Sequence, residues 1–150
     1  MTPRSKLPLS INIYLRDGQL FIPRTAKSAQ GLTIECNPVH TTNFPIEPSE
    51  LGTVLARTYE VSGRPTSETG AADLLGPVGR AARCKSYREF AMNARLVHIA
   101  FKDDGIEIYR TVLQSRGGFE YAEHPTTLPK DSSFEDCANA VVALFSEQDE

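Results

Sequence analysis

The chain contains 150 residues, of which 40% are hydrophobic and 23% are charged, and its formal net charge is −3. This length favours a single domain over residues 1–150, with a core large enough to need neither disulfides nor metal ions. No apolar run approaches the roughly 18 residues of a membrane span, and the first residues lack the pattern of a signal peptide. Three widely spaced cysteines, Cys36, Cys84 and Cys137, are typical of buried thiols in a reducing compartment. We therefore expect a cytoplasmic protein with no bound metal and no other cofactor.

The first predicted element is a β-hairpin within Ile11–Arg24. Apolar and polar residues alternate on both sides of Asp17-Gly18. An Asp-Gly pair between such runs favours a type I′ turn, because that turn requires positive φ at both central residues. The expected register pairs Leu15 with Leu20, which places the apolar side chains of both strands on one face.

A third strand and a helix complete this first unit. The strand is expected at Leu32–Cys36, where alternation resumes between a glycine and a proline. The helix is expected at Glu47–Val61, where Leu51, Val54 and Leu55 recur at helical spacing behind a proline that suits a first turn. The first unit therefore reads as three strands followed by a helix.

The connector, residues 62–96, predicts one short helix. Its first residues are rich in turn formers, and the apolar patch that follows is interrupted by Gly76-Pro77. Ser86–Ala94 predicts a helix, because its first residue fits a capping box with Glu89 and its aromatic and alanine residues share one stripe.

A second hairpin is predicted within Val97–Arg110. Apolar residues again alternate around an Asp-Gly pair, which places the turn at Asp104-Gly105. With this turn, Phe101 pairs with Ile108 on the apolar face.

The rest of the second unit repeats the order of the first. On the polar face of the hairpin, Lys102 is expected opposite Glu107, a favourable cross-strand pair. A third strand is expected at Phe119–Glu123. A helix follows, and Ser132 and Glu135 are expected to form its capping box.

The two units lie about 86 residues apart, over residues 11–61 and 97–148. One such unit cannot bury the apolar face of its sheet alone, whereas two units can join their strands and share two covering helices. The sequence therefore predicts an α+β fold. Duplicated βββα units would form a twisted, mainly antiparallel sheet of about six strands with helices packed on one face.

Residues 97–150 carry eleven acidic and four basic side chains. Solubility explains this excess as well as binding does. The more specific hypothesis is that these acidic residues form a docking surface for a basic protein partner, because complementary charge steers association. A charge in the first repeat, such as that of Glu35, should matter less. The candidate contact residues are Asp103, Asp104, Glu107, Glu120 and Glu123.

A second hypothesis is a small nucleic-acid-binding protein or enzyme. Arg24 and Arg110 occupy equivalent positions in the two hairpins and could form an anion site together with His98 or His124. The segment 80–95 carries five basic residues and one acidic residue, which suits either an RNA contact or a solvated helix face. No metal-ligand spacing and no nucleotide-binding or hydrolase motif accompanies these residues. We therefore assign no catalytic residue and expect a protein that is not an enzyme.

The order of these segments resembles that of the CdiI immunity proteins of bacterial contact-dependent growth inhibition systems. The resemblance extends over about residues 11–145 and includes LFIPRTAKSAQGLTIECNP, VGRAARCKSYREF, GIEIYR and GGFEYAEHP. It lies in layout and not in a residue motif, so no binding residue is transferred. It implies a small cytoplasmic antitoxin without catalysis of its own. Such a protein binds the C-terminal toxin domain of a CdiA effector, often a nuclease, and neutralises it.

Overall fold

The computed structural model describes residues 8–27, 33–63, 76–114, 118–122 and 124–147. Its elements follow the predicted order, with two short helices in the connector and two short strands in place of the last strand of the second unit. In chain order they are β1 (Leu9–Arg16), β2 (Gln19–Lys27), β3 (Thr33–Asn43), α1 (Pro48–Val61), α2 (Gly76–Ala81), α3 (Tyr87–Met92), β4 (Ala94–Lys102), β5 (Gly105–Leu113), β6 (Phe119–Tyr121), β7 (Thr126–Leu128) and α4 (Phe134–Ser146).

The strands form one seven-stranded sheet in the order β3-β2-β1-β4-β5-β6, and β7 also pairs with β5. Each of these pairings is antiparallel. The first strands of the two units, β1 and β4, pair with each other at the centre, so the units join edge to edge. The predicted α+β fold with duplicated βββα units is confirmed.

An approximate two-fold axis relates the units and passes through the β1–β4 pair. Asn12 lies directly opposite His98 in this pair. These two residues are separated by the 86-residue offset of the repeat, so each lies opposite its own counterpart. The pairs Ile11–Ile99 and Ile13–Val97 flank these two residues. The same axis exchanges one of these pairs with the other.

Matching hydrogen bonds support this symmetry. The hydroxyl of Thr25 donates to the carbonyl oxygen of Ser10 at 2.7 Å. In the second unit, the hydroxyl of Thr111 donates to the carbonyl oxygen of Leu96 at 2.8 Å. Both donors and both acceptors are 86 residues apart, so the duplication extends to individual contacts.

Helices α1 and α4, one from each unit, cover one face of the sheet and bury the main core against it. They pack closely at Gly52, where an added Cβ would lie 3.0 Å from the Cα of Glu135. The fully buried large side chains on this face come from both units and are Ile11, Ile13, Leu20, Ile22, Leu51, Leu55, Ile99, Phe101, Ile106 and Ile108.

The connector helices α2 and α3 pack on the opposite face, which the sequence analysis did not anticipate. Phe90 of α3 is fully buried there. Its ring lies edge-on to those of Tyr14 and Phe21, with centroids 5.2 and 5.6 Å away. This second cluster also contains Val78 of α2 and Leu96 of β4.

The first hairpin has the predicted geometry. Leu15 pairs with Leu20. Asp17 and Gly18 have φ values of 51° and 73°, as a type I′ turn requires.

The predicted register of the second hairpin is wrong. Its two loop residues are Asp103 and Asp104, and Phe101 pairs with Ile106 instead of Ile108. The two registers differ by two residues. Because side chains alternate with a period of two, both registers place the same residues on the apolar face. Alternation alone therefore could not distinguish them.

Lys102 and Glu107 form the expected ion pair, but from diagonal positions. Lys102 pairs with Gly105, whereas Glu107 pairs with Ala100. The contact survives the register difference because long side chains on one face reach diagonal neighbours.

The start of α4 lies one residue later than predicted. Ser133 is its N-cap and forms a capping box with Asp136. Ser132 is buried in the turn before the helix, so the expected pair of Ser132 and Glu135 is wrong. Helix α3 begins after Ser86, whose side chain accepts from the backbone N–H three residues on, as predicted.

All three cysteines are buried, and none of them forms a disulfide. Over the described ranges, no helix is long and apolar enough to cross a membrane. Within the same ranges, no three His, Cys, Asp or Glu side chains come together in a group that could hold a metal ion.

Candidate partner-binding surface

The predicted acidic contact residues lie along the outer strands of the second unit. Asp103 and Asp104 are exposed in the β4–β5 loop, and Glu120 is exposed on β6. Glu123 lies outside the described residues. Glu120 pairs with Val112, which is seven residues, or about 23 Å, along β5 from the loop. Glu107 lies on the face of the sheet that carries Tyr109, whereas Glu120 lies opposite Val112 on the other face, so the acidic residues follow the outer strands without converging on one point.

Glu107 is the most compensated of these residues. It pairs with Lys102 and accepts a hydrogen bond from the hydroxyl of Tyr109 at 2.8 Å. The hydrogen bond from Lys102 is the main reason why the pKa of Glu107 lies below its ordinary value. This carboxylate contributes less negative electrostatic potential to the surface than Asp103 or Asp104, because a cation already neutralises it in part.

The residues of the alternative hypothesis are not brought together. Arg24 lies on β2 and Arg110 on β5, with β1 and β4 between them, a separation of about 14 Å at ordinary strand spacing. The Arg24 guanidinium donates to the carbonyl oxygen of Asn37 at 2.8 Å, and that of Arg110 pairs with Glu147 at 3.3 Å.

The two histidines of that hypothesis also lie apart. His98 is half-buried on the central strand β4, whereas His124 is exposed between β6 and β7. No common anion site forms from these residues.

Large apolar side chains are exposed on the second unit and at the end of connector helix α3. Among the described residues, those more than half exposed are Met92, Val112 and Tyr121, at 66%, 57% and 52%. A cleft of about 470 Å³, lined in part by Met92, Val112 and Phe119, opens beside them. The cleft lies where β4 and β5 stop pairing beyond Val97–Arg110, since β4 remains beside β1 there while β5 pairs with β6. Apolar side chains exposed around a cleft mark an interaction surface.

A row of polar and aromatic side chains crosses the second face of the sheet through the two-fold axis. The Asn12 amide donates to Glu35 Oε2 at 2.8 Å, and the Asn12 carbonyl oxygen lies 2.6 Å from His98 Nδ1. The hydroxyl of Tyr14 also donates to Glu35 Oε2, at 2.6 Å. The His98 ring stacks on Tyr121 at a centroid distance of 4.8 Å.

The side chains of this row come from equivalent positions in the two repeated units. Asn12 and His98 are counterparts, and so are Glu35 and Tyr121, which pair with the equivalent residues Thr25 and Thr111. The first unit places a carboxylate against its central residue, and the second places an aromatic ring there. Only the second of these side chains is exposed.

Burial shifts the pKa values of His98 and Glu35 in opposite directions. Burial lowers the pKa of His98 from 6.5 to about 4, so the ring is neutral at physiological pH. Burial raises the pKa of Glu35, and the hydrogen bonds from Tyr14 and Asn12 partly oppose that shift. Since the neutral His98 lies 2.6 Å from an amide oxygen, its Nδ1 carries the proton and donates to Asn12.

Glu35, whose charge was expected to matter less for binding than those of the second repeat, has a structural role in this row. Its carboxylate is bound inside the row, and only part of its side chain reaches solvent. Sequence reasoning also missed Asn12 and Tyr121. Asn12 could have been found from the sequence, because it is the residue that aligns with His98 when the two hairpins are superimposed.

The fold is similar to two solved structures. A protein of unknown function from Neisseria meningitidis superposes with a TM-score of 0.67 at 16% sequence identity, covering 96% of each chain. A chain of a CdiA-CT/CdiI toxin and immunity complex from Yersinia pseudotuberculosis superposes with a TM-score of 0.65 at 13% identity. This match covers 90% of the present chain and 93% of the other. No family model and no curated protein matches the sequence. The likeness at these identities shows the fold.

Proposed function

We propose that this chain is an immunity protein. It binds and neutralises the C-terminal toxin domain of a cognate CdiA-type effector, and it does so in the cytoplasm by one-to-one binding without catalysis. The observation that carries the proposal is the likeness in fold, over 90% or more of both chains, to a chain of a toxin and immunity complex. The segment order of the sequence points to the same family independently.

The surface of the second unit supports this proposal. It combines exposed acidic side chains, Asp103, Asp104 and Glu120, with the exposed apolar residues beside the cleft. Protein interfaces typically join a central apolar area to a polar rim. A basic toxin is the partner that this surface fits, and a nuclease is such a toxin because its substrate is a polyanion.

The proposal is tested by reversing the acidic charges. Changing Asp103, Asp104, Glu120 and Glu123 to Lys should leave the protein folded, because the three that the structure describes are exposed. Association with the cognate toxin domain should slow, since electrostatic steering raises rates to as much as about 10⁸–10⁹ M⁻¹s⁻¹ at low salt. The decline of the association rate with added salt should flatten or reverse.

The matched control changes Glu47 and Glu50 to Lys. Both residues belong to the first unit and are exposed at the start of α1. Surface plasmon resonance across a salt series measures both variants. An equal effect per charge in the two variants would mean that only net charge matters and that the acidic surface is not the contact.

A further inference from the structure

We infer that the connector helices carry a nucleic-acid-binding surface, on which exposed basic side chains hold a phosphodiester backbone. This inference does not rest on the proposed function and concerns a different part of the molecule. The surface, called here the basic surface, consists of α2, α3 and the turn between them. Its cations are Arg80, Arg83, Lys85 and Arg88.

The basic surface is nearly free of acidic side chains. All four cations are exposed, and Glu89 is the one carboxylate in the sequence between residues 76 and 93. Glu89 accepts a hydrogen bond from the backbone N–H of Lys85 at 3.0 Å, so one of its oxygens already has a partner. Over the described ranges, no carboxylate pairs with the side chains of Arg83, Lys85 or Arg88. Their charge therefore faces solvent without a counter-charge.

Arg83 occupies a backbone position that arginine rarely takes. Its φ is 60°, and it follows the last turn of α2 in a Schellman motif. In this motif the N–H of Arg83 donates to the carbonyl oxygen of Arg80, and that of Cys84 donates to Gly79. Glycine normally fills the position, because a Cβ is disfavoured at positive φ. The fold keeps a cation here at a cost in stability, and strain of this kind clusters at functional sites.

The backbone beneath the cations is anchored in the second core cluster. Val78 of α2 and Phe90 of α3 are fully buried, and Cys84 between the two helices is buried with them. The side chain of Ser86 caps α3 by accepting from the N–H of Glu89. Binding would therefore order only side chains and not the chain itself, which keeps its entropic cost low.

The acidic residues of the second unit do not cancel the potential of the basic surface. Asp103 and Asp104 follow the far end of β4, whose nine residues extend over about 27 Å from the end next to α3. That distance exceeds the Debye length of about 10 Å at 0.1 M salt. Glu120 lies at the near end but on the opposite face of the sheet, and Glu147 is paired with Arg110. The net negative charge of the chain is therefore not the charge that a ligand meets here.

The chemistry of the basic surface favours a nucleic acid over an acidic protein. Three of its four cations are arginines, whose planar guanidinium can donate two parallel hydrogen bonds to one phosphate. Ala81, Ser86 and Asn93 are exposed around them and are small or polar, so the apolar centre of a typical protein interface is missing. Met92, at the end of α3, lines the cleft instead. A polyanion with evenly repeated charges suits such a surface.

Fluorescence anisotropy of the full-length protein tests the inference. The labelled probes are oligouridine, oligothymidine and a DNA duplex, each about 20 nucleotides long, which exceeds a typical single-strand site. With four contacts, the logarithm of the affinity for a single strand should fall with the logarithm of salt concentration with a slope of about 3, since each phosphate contact contributes about 0.7. Equal affinity for RNA and DNA would indicate contact with the backbone alone, and tighter RNA binding would add the 2′-hydroxyl. Both results support the inference.

Changing Arg83, Lys85 and Arg88 together to Ala removes three of the contacts. Binding should weaken at least about thirtyfold at about 50 mM salt, and the salt slope should fall by about 2. A matched control has the same change in net charge and should alter the affinity by less than about threefold. It removes three exposed cations outside the connector, namely Lys27, Arg57 and Lys130.

Arg83→Gly separates binding from folding. Glycine relieves the strain at positive φ, so the variant should resist urea at least as well as the wild type. Its affinity for the single strands should nevertheless fall about three- to tenfold, because one phosphate contact is lost. Reduced stability with unchanged affinity would overturn the role assigned to Arg83.

Four results would overturn the inference as a whole. The first is that the wild type binds none of the three probes. The second is an equal loss of affinity in the triple variant and its matched control, which would mean that only net charge matters. The third is self-association of the wild type that the triple variant loses, which would show that the basic surface contacts the acidic residues of a second copy. The fourth is loss of binding to a cognate toxin domain in the triple variant, which would assign the surface to the toxin.

Discussion

His98 makes this fold sensitive to acid, and replacing it with Asn should remove that sensitivity. In the folded protein, His98 stays neutral down to a pKa of about 4 because it is buried. In the unfolded chain it takes up a proton near pH 6.5. Between these values the unfolded state binds more protons, so the free energy of unfolding falls as the pH is lowered from 6.5 towards 4.

The size of the effect follows from the two pKa values. A shift from 6.5 to about 4 corresponds to about 3 kcal/mol when fully expressed, since one pKa unit is worth about 1.4 kcal/mol. About 2 kcal/mol of this should be lost between pH 7 and pH 5. Glu35 acts in the opposite direction, because a carboxyl with a raised pKa stabilises the fold as it becomes protonated.

Urea unfolding of the wild-type protein and of His98→Asn at pH 7 and pH 5 measures the effect. Asn occupies the equivalent position in the first unit, so the substitution suits this site. The stacking lost in the variant lowers stability at both pH values and cancels in the comparison. Repeating the pair in a Glu35→Gln background removes the opposing group. If both proteins lose the same stability between pH 7 and pH 5, the reasoning about His98 is wrong.

Two further predictions concern packing and capping. Gly52→Ala should lower the free energy of unfolding by about 1–2 kcal/mol, because contact with the α4 backbone at 3.0 Å outweighs the gain of roughly 1 kcal/mol in helix propensity. Gly118→Ala is its control and should change stability by less than about 0.5 kcal/mol, since an added Cβ there meets nothing within 4 Å. Ser133→Ala should cost about 1 kcal/mol through loss of the α4 cap, and urea unfolding that shows no change would contradict the assigned helix start.

The duplicated fold could be predicted because local signals agreed with the global arrangement. Asp17-Gly18 fixed the first turn, and the apolar periodicity of each unit marked the face that a helix would cover. The second turn could not be fixed in the same way. The run from Lys102 to Gly105 offers two turn positions, and both preserve the apolar alternation.

The second face of the sheet could not be predicted. Gly76-Pro77 looked like a break, yet both residues begin α2, where a proline in the first turn costs no hydrogen bond. Asn12 and Glu35 alternate with apolar residues and therefore looked solvent-facing. Their contacts depend on side chains from three strands and on cover from the connector helices, which no local pattern encodes.

Co-expression with a cognate CdiA-type toxin domain is the sharpest test of the proposed immunity function. We predict that cells expressing both proteins survive in proportion to the amount of this protein and that the two co-purify as a one-to-one complex, measured by size-exclusion chromatography with light scattering. Cells killed by the toxin despite abundant folded protein, with no complex recovered, would contradict the account.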